Sequence, residues 1–154
     1  MEKIVLGSTG IHATRSGFGA LPVQRLSKEE AARLLRRAYD SGINFFDTAN
    51  AYTDSEEKIG MALADVRRNL FIATKTGSST PDEFWKHLEL SLTRMKTDYI
   101  DIYQFHNPAK MPSDEMMSCM IKAKAQGMIR HIGVTAHRLD TALTEIESGA
   151  FETM

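Results

Sequence analysis

One pattern constrains this chain more than any other: a short apolar run, a turn and an amphipathic stretch opened by helix-capping residues, repeated five times. The apolar runs are Ser16 to Leu21, Ile43 to Thr48, Leu70 to Lys75, Tyr99 to His106 and His131 to Thr135. Each is too short for a helix and is bounded by turn or polar residues. Such runs read as parallel strands, because a strand covered on both faces needs no polar alternation.

The stretches between them carry plain helix signals. Ser27 and Glu30 stand three apart, so each side chain reaches the other's backbone donor, and Leu34, Leu35 and Ala38 follow as the expected inward face. Gly42 then stops that helix in the left-handed conformation that glycine adopts at least cost. A second helix is expected from Ser55 to Val66. Thr80, Pro81 and Glu83 repeat the capping box with proline at the first helical position, and Phe84, Leu88, Leu92 and Met95 continue as a stripe. Ser113 opens a fourth helix, with Met116, Met117, Met120 and Ile121 as its apolar face and Gly127 as its stop, and a fifth runs from Leu139 to Ser148. Before the first unit, Lys3 to Gly7 and Ile11 to Arg15 flank Ser8-Thr9-Gly10 and suit a small hairpin.

Repeated strand and helix units mean an α/β fold with a mainly parallel sheet. Five units in 154 residues is about 31 residues each, close to the spacing of an eight-fold barrel of about 250 residues. Length alone favours the rival, an open flavodoxin-like sheet, which also needs only five strands. The chain is expected to be a single domain over residues 1–154. With 42% hydrophobic and 25% charged residues, it should bury about 70% of its unfolded surface without a disulfide or structural metal. The lone Cys119 agrees, having no partner in the chain. A net charge of -1 argues against nucleic acid and anionic membranes, both of which need a strong positive field. Only three apolar residues in a row precede Gly7, too few for a signal peptide, so a cytoplasmic setting and a small-molecule partner are the expectation.

In either architecture the carboxyl ends of the strands gather at one edge, where ligands bind. Asp47 ends the second run, with Tyr52 just beyond it; Lys75 ends the third and His106 the fourth. Tyrosine alone is a poor acid, with a pKa of about 10, but a nearby ammonium stabilises the phenolate. Lys75 supplies that charge, Asp47 holds the lysine oriented, and His106 bonds the tyrosine oxygen or a substrate carbonyl. The set would deliver a proton to an oxyanion. Two other readings of these residues stand beside it. A desolvated Lys75 could form a Schiff base in a lyase. A phospho-acceptor receiver needs acidic residues after the first strand, where this chain has Ala20-Leu21-Pro22-Val23. No metal is expected, because His106, His131 and His137 lack ligand spacing. Asp101 reads as a paired structural carboxylate within a strand, and Cys119 as a small core or boundary residue.

The sequence resembles the aldo-keto reductase family along essentially its whole length. The matching stretches are Leu6 to Gly10, Phe18-Gly19-Ala20, Asn44 through Tyr52 with Ser55-Glu56, Gly60 and Leu63, Tyr99 to His106, and Ile129 to Thr135. The resemblance implies the eight-fold barrel, here incomplete, and reversible hydride transfer between NADP(H) and a small carbonyl compound. It puts Asp47, Tyr52, Lys75 and His106 on the family's catalytic tetrad, with Tyr52 as proton donor. It puts Gly19, Ala20, Leu21, Asp47 and Thr135 beside the cofactor. Two departures qualify this. Thr135-Ala136 stand where the family usually carries serine and asparagine against the nicotinamide amide, so that contact weakens or passes to His137. The chain also stops about where a sixth strand begins, so three units that complete the cofactor site in the family are absent. The expectation is a fragment or catalytically silent remnant of a longer reductase, associating with itself through open strand edges. The closest resemblance is to reductases that carry an iron-sulfur module downstream, but the chain has no cysteines for one.

Overall fold

In the computed structural model, which describes residues 1–154, the five runs form one parallel sheet whose spatial order is their order in the chain. The strands are β3 (Phe18–Gly19), β4 (Phe45–Asp47), β5 (Phe71–Thr76), β6 (Ile100–His106) and β7 (Ile129–Thr135). They alternate with α1 (Lys28–Asp40), α2 (Ser55–Leu63), α3 (Pro81–Met95), α4 (Asp114–Ala125) and α5 (Leu139–Ser148). An antiparallel hairpin of β1 (Lys3–Val5) and β2 (His12–Thr14) precedes them.

The sequential order decides between the two architectures. An open doubly wound sheet reverses its strand order at a switch point and carries helices on both faces. Here nothing reverses and the helices lie on one face. Phe46, Ile72, Tyr103 and Val134 point from that face into a core of 23 buried residues shared with Leu35, Ile59, Leu88 and Met120 of the helices. Ala73 and Ile102, on the opposite face, pack instead with Ile11 and Ala13 of the hairpin segment. The expectation from length is thus overturned in favour of a partial (β/α)8 barrel, with helices outside and the hairpin closing the amino-terminal end of the concave face. The carboxyl ends of the strands are left free for chemistry.

Local chemistry explains most element boundaries. Ser27 and Glu30 make the full capping box, with bonds of 3.2 and 3.0 Å. At α3 the box is half made: the Thr80 hydroxyl accepts from the Glu83 amide. The Glu83 carboxylate reaches one residue further back, to the Ser79 amide and hydroxyl. Ser113 caps α4 by accepting from the Met116 amide.

Several expectations need correction. The first strand shrinks to Phe18–Gly19, because Leu21–Arg25 forms a 3₁₀ turn with Pro22 near its start. The second helix ends at Leu63 and tightens into a 3₁₀ stretch over Ala64–Asn69 rather than running on to Val66 as an α-helix. Leu34 is 42% exposed and Ile121 58%. Ala31 and Leu35 fill the inward positions on α1, and Met116, Cys119, Met120 and Ala123 those on α4. The edge of the fifth strand is also partly covered: Thr153 pairs with Gly133 in parallel register, the Val134 amide donates to the Thr153 carbonyl, and the Glu152 amide donates to Ile132. No helix is long and apolar enough to cross a membrane.

Candidate active site

Strand register brings the predicted residues to one rim. Asp47 pairs with Ala73, Lys75 with Gln104 and His106 with Thr135 across neighbouring strands. Asp47, Lys75 and His106 therefore stand at successive strand ends. The Lys75 ammonium donates to Asp47 Oδ1 and to the Thr48 carbonyl, both at 2.6 Å. The same Nζ lies 5.5 Å from the centre of the Tyr52 ring. The Tyr52 and His106 rings meet edge to face, 5.6 Å between centroids and 80° between planes. All four residues converge.

The loop that carries Tyr52 is pinned from several sides. The Thr48 amide donates to the Ala73 carbonyl, the Asn50 amide to Lys75, and the Ser55 amide to Tyr52. The hydroxyls of Thr48 and Ser55 are 2.9 Å apart, and Ser55 Oγ donates to the Ala20 carbonyl. Thr53 takes φ +43° to close the turn. Within two turns of chain, polypeptide from three strand ends is tied to one loop.

Burial sets the protonation states. Tyr52 is half-buried, and loss of solvent, assisted by the Asp47 charge, pushes its hydroxyl above the ordinary tyrosine value. The residue types alone point to a lowered value through Lys75, whereas burial and the Asp47 charge set the direction here. His106 moves down from its ordinary value through burial first and the Lys75 charge second. At neutral pH the site therefore holds a protonated phenol beside a neutral imidazole. Lys75 is buried with its ammonium bonded to two acceptors, which leaves no free lone pair for Schiff-base formation.

The other predicted positions differ among themselves. Gly19 is exposed, and a Cβ there would touch nothing within 4 Å. Leu21 is 44% exposed beside it. Ala20 is fully buried, with its amide donating to Asp47 and its carbonyl accepting from Ser55, so its part is to fix the loop. The Thr135 hydroxyl is half-buried and makes only long bonds, 3.4 Å to the Phe105 carbonyl and 3.2 Å from the Asn107 amide. The His137 amide donates to Asn107 Oδ1.

The profile of the aldo/keto reductase family matches residues 3–147. The chain belongs to the aldo/keto reductase family. It is 33% identical over 153 residues to the uncharacterised oxidoreductase YqkF of Bacillus subtilis, covering 90% of this chain and 50% of that protein. The aldo-keto reductase AKR11C1 of Bacillus halodurans, in its holo form, superposes with a TM-score of 0.88 at 28% identity, over 96% of this chain and 54% of the other. An aldo/keto reductase of Klebsiella pneumoniae solved with NADP and acetate gives 0.82 at 26% identity, over 92% and 52%. The chain thus spans about half the length of the curated relatives it matches.

Three residues around the reductase-like rim had no role in the sequence reading. Glu56 is buried to 1% exposure yet ionisable, Arg94 reaches it from α3, and Asn50 joins both to Lys75. The available signal was Ser55-Glu56-Glu57-Lys58 at the start of a helix otherwise built for burial. Polar residues there find a place inside only when partners wait for them.

Proposed function

We propose that the chain carries the proton-donating part of an NADP(H)-dependent oxidoreductase that reduces small aldehydes or ketones to alcohols. Asp47, Tyr52, Lys75 and His106 act together. The observation that carries this reading is the Asp47–Lys75 pair, 2.6 Å long, beneath a Tyr52 ring that also packs on His106. In a site of this kind, NADPH when bound supplies the hydride that goes to the carbonyl carbon. Tyr52 gives its proton to the carbonyl oxygen, completing the alcohol. With an ordinary pKa of about 10, a tyrosine hydroxyl carries that proton at neutral pH without any shift. Lys75 stabilises the phenolate left behind, which regains a proton from water. Asp47 keeps Lys75 aligned, and the neutral His106 donates an N–H to the substrate oxygen.

The residues present fit one end of such a cofactor. Gly19 and Leu21 offer open rim on one side, and Thr135 offers a hydroxyl with weak bonds on the other. Because the chain spans half the length of its relatives, a complete cofactor site needs more than these residues. We propose that copies of the chain associate through their strand edges to extend it, and that a catalytically silent remnant is the second reading. The free, buried Cys119 accords with a cytoplasmic setting.

The test is titration of the purified chain with NADPH by fluorescence, with size measured alongside, followed by a screen of carbonyl substrates. Micromolar binding with carbonyl-dependent oxidation of NADPH would support the reading, turnover then falling by about 100- to 10,000-fold in Tyr52→Phe while NADPH binding persists. An inactive chain is what the missing half of the cofactor site leads us to expect of one copy alone. Absence of binding at millimolar NADPH would assign the chain to the silent reading. Borohydride trapping of a Lys75 adduct would move it to the lyase class.

A further inference from the structure

The loop that carries Tyr52 and the strand end that carries Lys75 share a second set of buried contacts, on the helical side of the sheet. Glu56 lies in the first turn of α2 at 1% exposure. Its Oε1 accepts from the Thr74 hydroxyl at 2.7 Å, and its Oε2 faces Arg94 Nη1 at 3.3 Å. That same Nη1 donates to the Asn50 carbonyl, also at 3.3 Å. Asn50 in turn donates its amide to the Lys75 carbonyl at 3.0 Å and its side-chain nitrogen to Ser91 at 3.3 Å. One guanidinium from α3 therefore touches the loop two residues before Tyr52, while its carboxylate partner grips the residue before Lys75.

The helices are close enough for this because of Gly60. A Cβ on Gly60 would overlap the Arg94 carbonyl oxygen and the Met95 backbone, so only glycine lets α2 and α3 approach at this point. Burying an ionised carboxylate is unfavourable unless it is paired and bonded, and an apolar side chain at position 56 would avoid that cost. The charge earns its place through geometry: it fixes two separate segments at once.

We propose that Glu56 and Arg94 are positioning residues that set the distance between the Tyr52 ring and the Lys75–His106 side of the site. The proposal deepens the functional reading above and rests on it for its significance. Its structural content is testable without turnover. Neither residue touches the reacting atoms; both act through Asn50 and Thr74.

The readout is the His106 Hε1 resonance in proton NMR, assigned by its loss in His106→Gln. The Tyr52 and His106 rings meet edge to face, so the ring current of Tyr52 displaces this resonance and reports whether the loop is in place. Tyr52→Ala gives the position of that resonance with the ring gone. Arg94→Met is expected to move it at least half-way to that value while the chain still melts cooperatively, and Arg94→Lys to return it towards the wild-type position. A folded Arg94→Met with an unmoved resonance would overturn the proposal. So would a resonance indifferent to Tyr52→Ala, since the loop would then lie elsewhere. If Arg94→Met does not fold, the isosteric Glu56→Gln decides on the same displacement. Failure of NADPH binding or of carbonyl reduction in the wild-type chain would sink the functional reading and leave this result standing.

Discussion

Two regions of the sheet treat buried polar groups in opposite ways. Around α2, α3 and the start of β6 every buried charge is met, and the Tyr103 hydroxyl alone is buried there without a partner. Lys58 donates to the Val23 and Leu26 carbonyls and pairs with Asp54 at 2.8 Å. Asp101 accepts from Arg67 at 2.6 Å, the Ile72 amide at 2.9 Å and Arg130 at 3.3 Å. The two guanidiniums sandwich the Tyr99 ring at 4.1 and 3.8 Å. Around β7 and α5 the pattern fails. Both oxygens of Glu145, Gln104 Oε1 and Thr153 Oγ1 are buried without partners, and Leu139, Leu143 and Ile146 stand exposed along one side of α5. The difference teaches how this architecture is satisfied. Asn44 to Thr14, Lys75 to Asp47, Arg67 to Asp101 and Ser55 to Ala20 all join positions 28 to 35 residues apart, so each unit completes its neighbour. Glu145 sits on the last unit of the row.

Breaking the well-met region should have the largest effect. Asp101→Ala leaves the Arg67 guanidinium buried without its carboxylate, and a loss of about 3–5 kcal/mol is expected, read from the urea midpoint. A loss below about 1 kcal/mol would mean that water reaches Arg67 and that the two regions differ little in how they hold buried charge.

A smaller effect of opposite sign is expected in the unmet region. Burial without a partner pushes the Glu145 carboxyl above its ordinary value. Such a group binds its proton more tightly in the folded chain, so it destabilises the fold above the raised pKa and ceases to do so below the unfolded value of about 4.5. Glu145→Gln should therefore raise stability by about 1 kcal/mol at pH 7, with the gain vanishing as the solution is acidified towards pH 4. A gain that persists unchanged at pH 4 would refute the ionisation argument.

His106 supplies the smallest effect. Its lowered pKa means that the unfolded chain binds more protons just below pH 6.5, so stability should rise with pH through that window and level off above it. NMR titration of its Hε1 should give a midpoint below that of a histidine in an unfolded peptide. A midpoint above it would place an unrecognised acidic partner on the ring.

Much of this was legible in the chain. Ser27, Thr80 and Ser113 announced their helices because capping is local chemistry, settled within four residues. The rim residues Asp47, Lys75 and His106 were readable because a strand end needs only its own run to be found. What could not be read depended on neighbours far along the chain. Leu34 and Leu35 are adjacent, and nothing local says which faces inward; the packing of α2 against α1 chooses Leu35. The order of the strands separated the barrel from the open sheet, although length favoured the wrong one. The upward direction of the Tyr52 shift comes first from burial, which depends on packing that no pattern of residue types reveals.

Gly60 gives the helix pair something like a machinist's clearance. It lies on the outer layer, away from the concave face where substrate would sit. Even so, the backbone it lets approach is that of Arg94, whose guanidinium bonds the Asn50 carbonyl. The packing demand on residue 60 thus sits one layer out from the rim, at the point where α2 meets α3. A methyl group at residue 60 would have to push α2 off α3, and the Arg94 guanidinium would carry that displacement to the Asn50 carbonyl, two residues from the phenol.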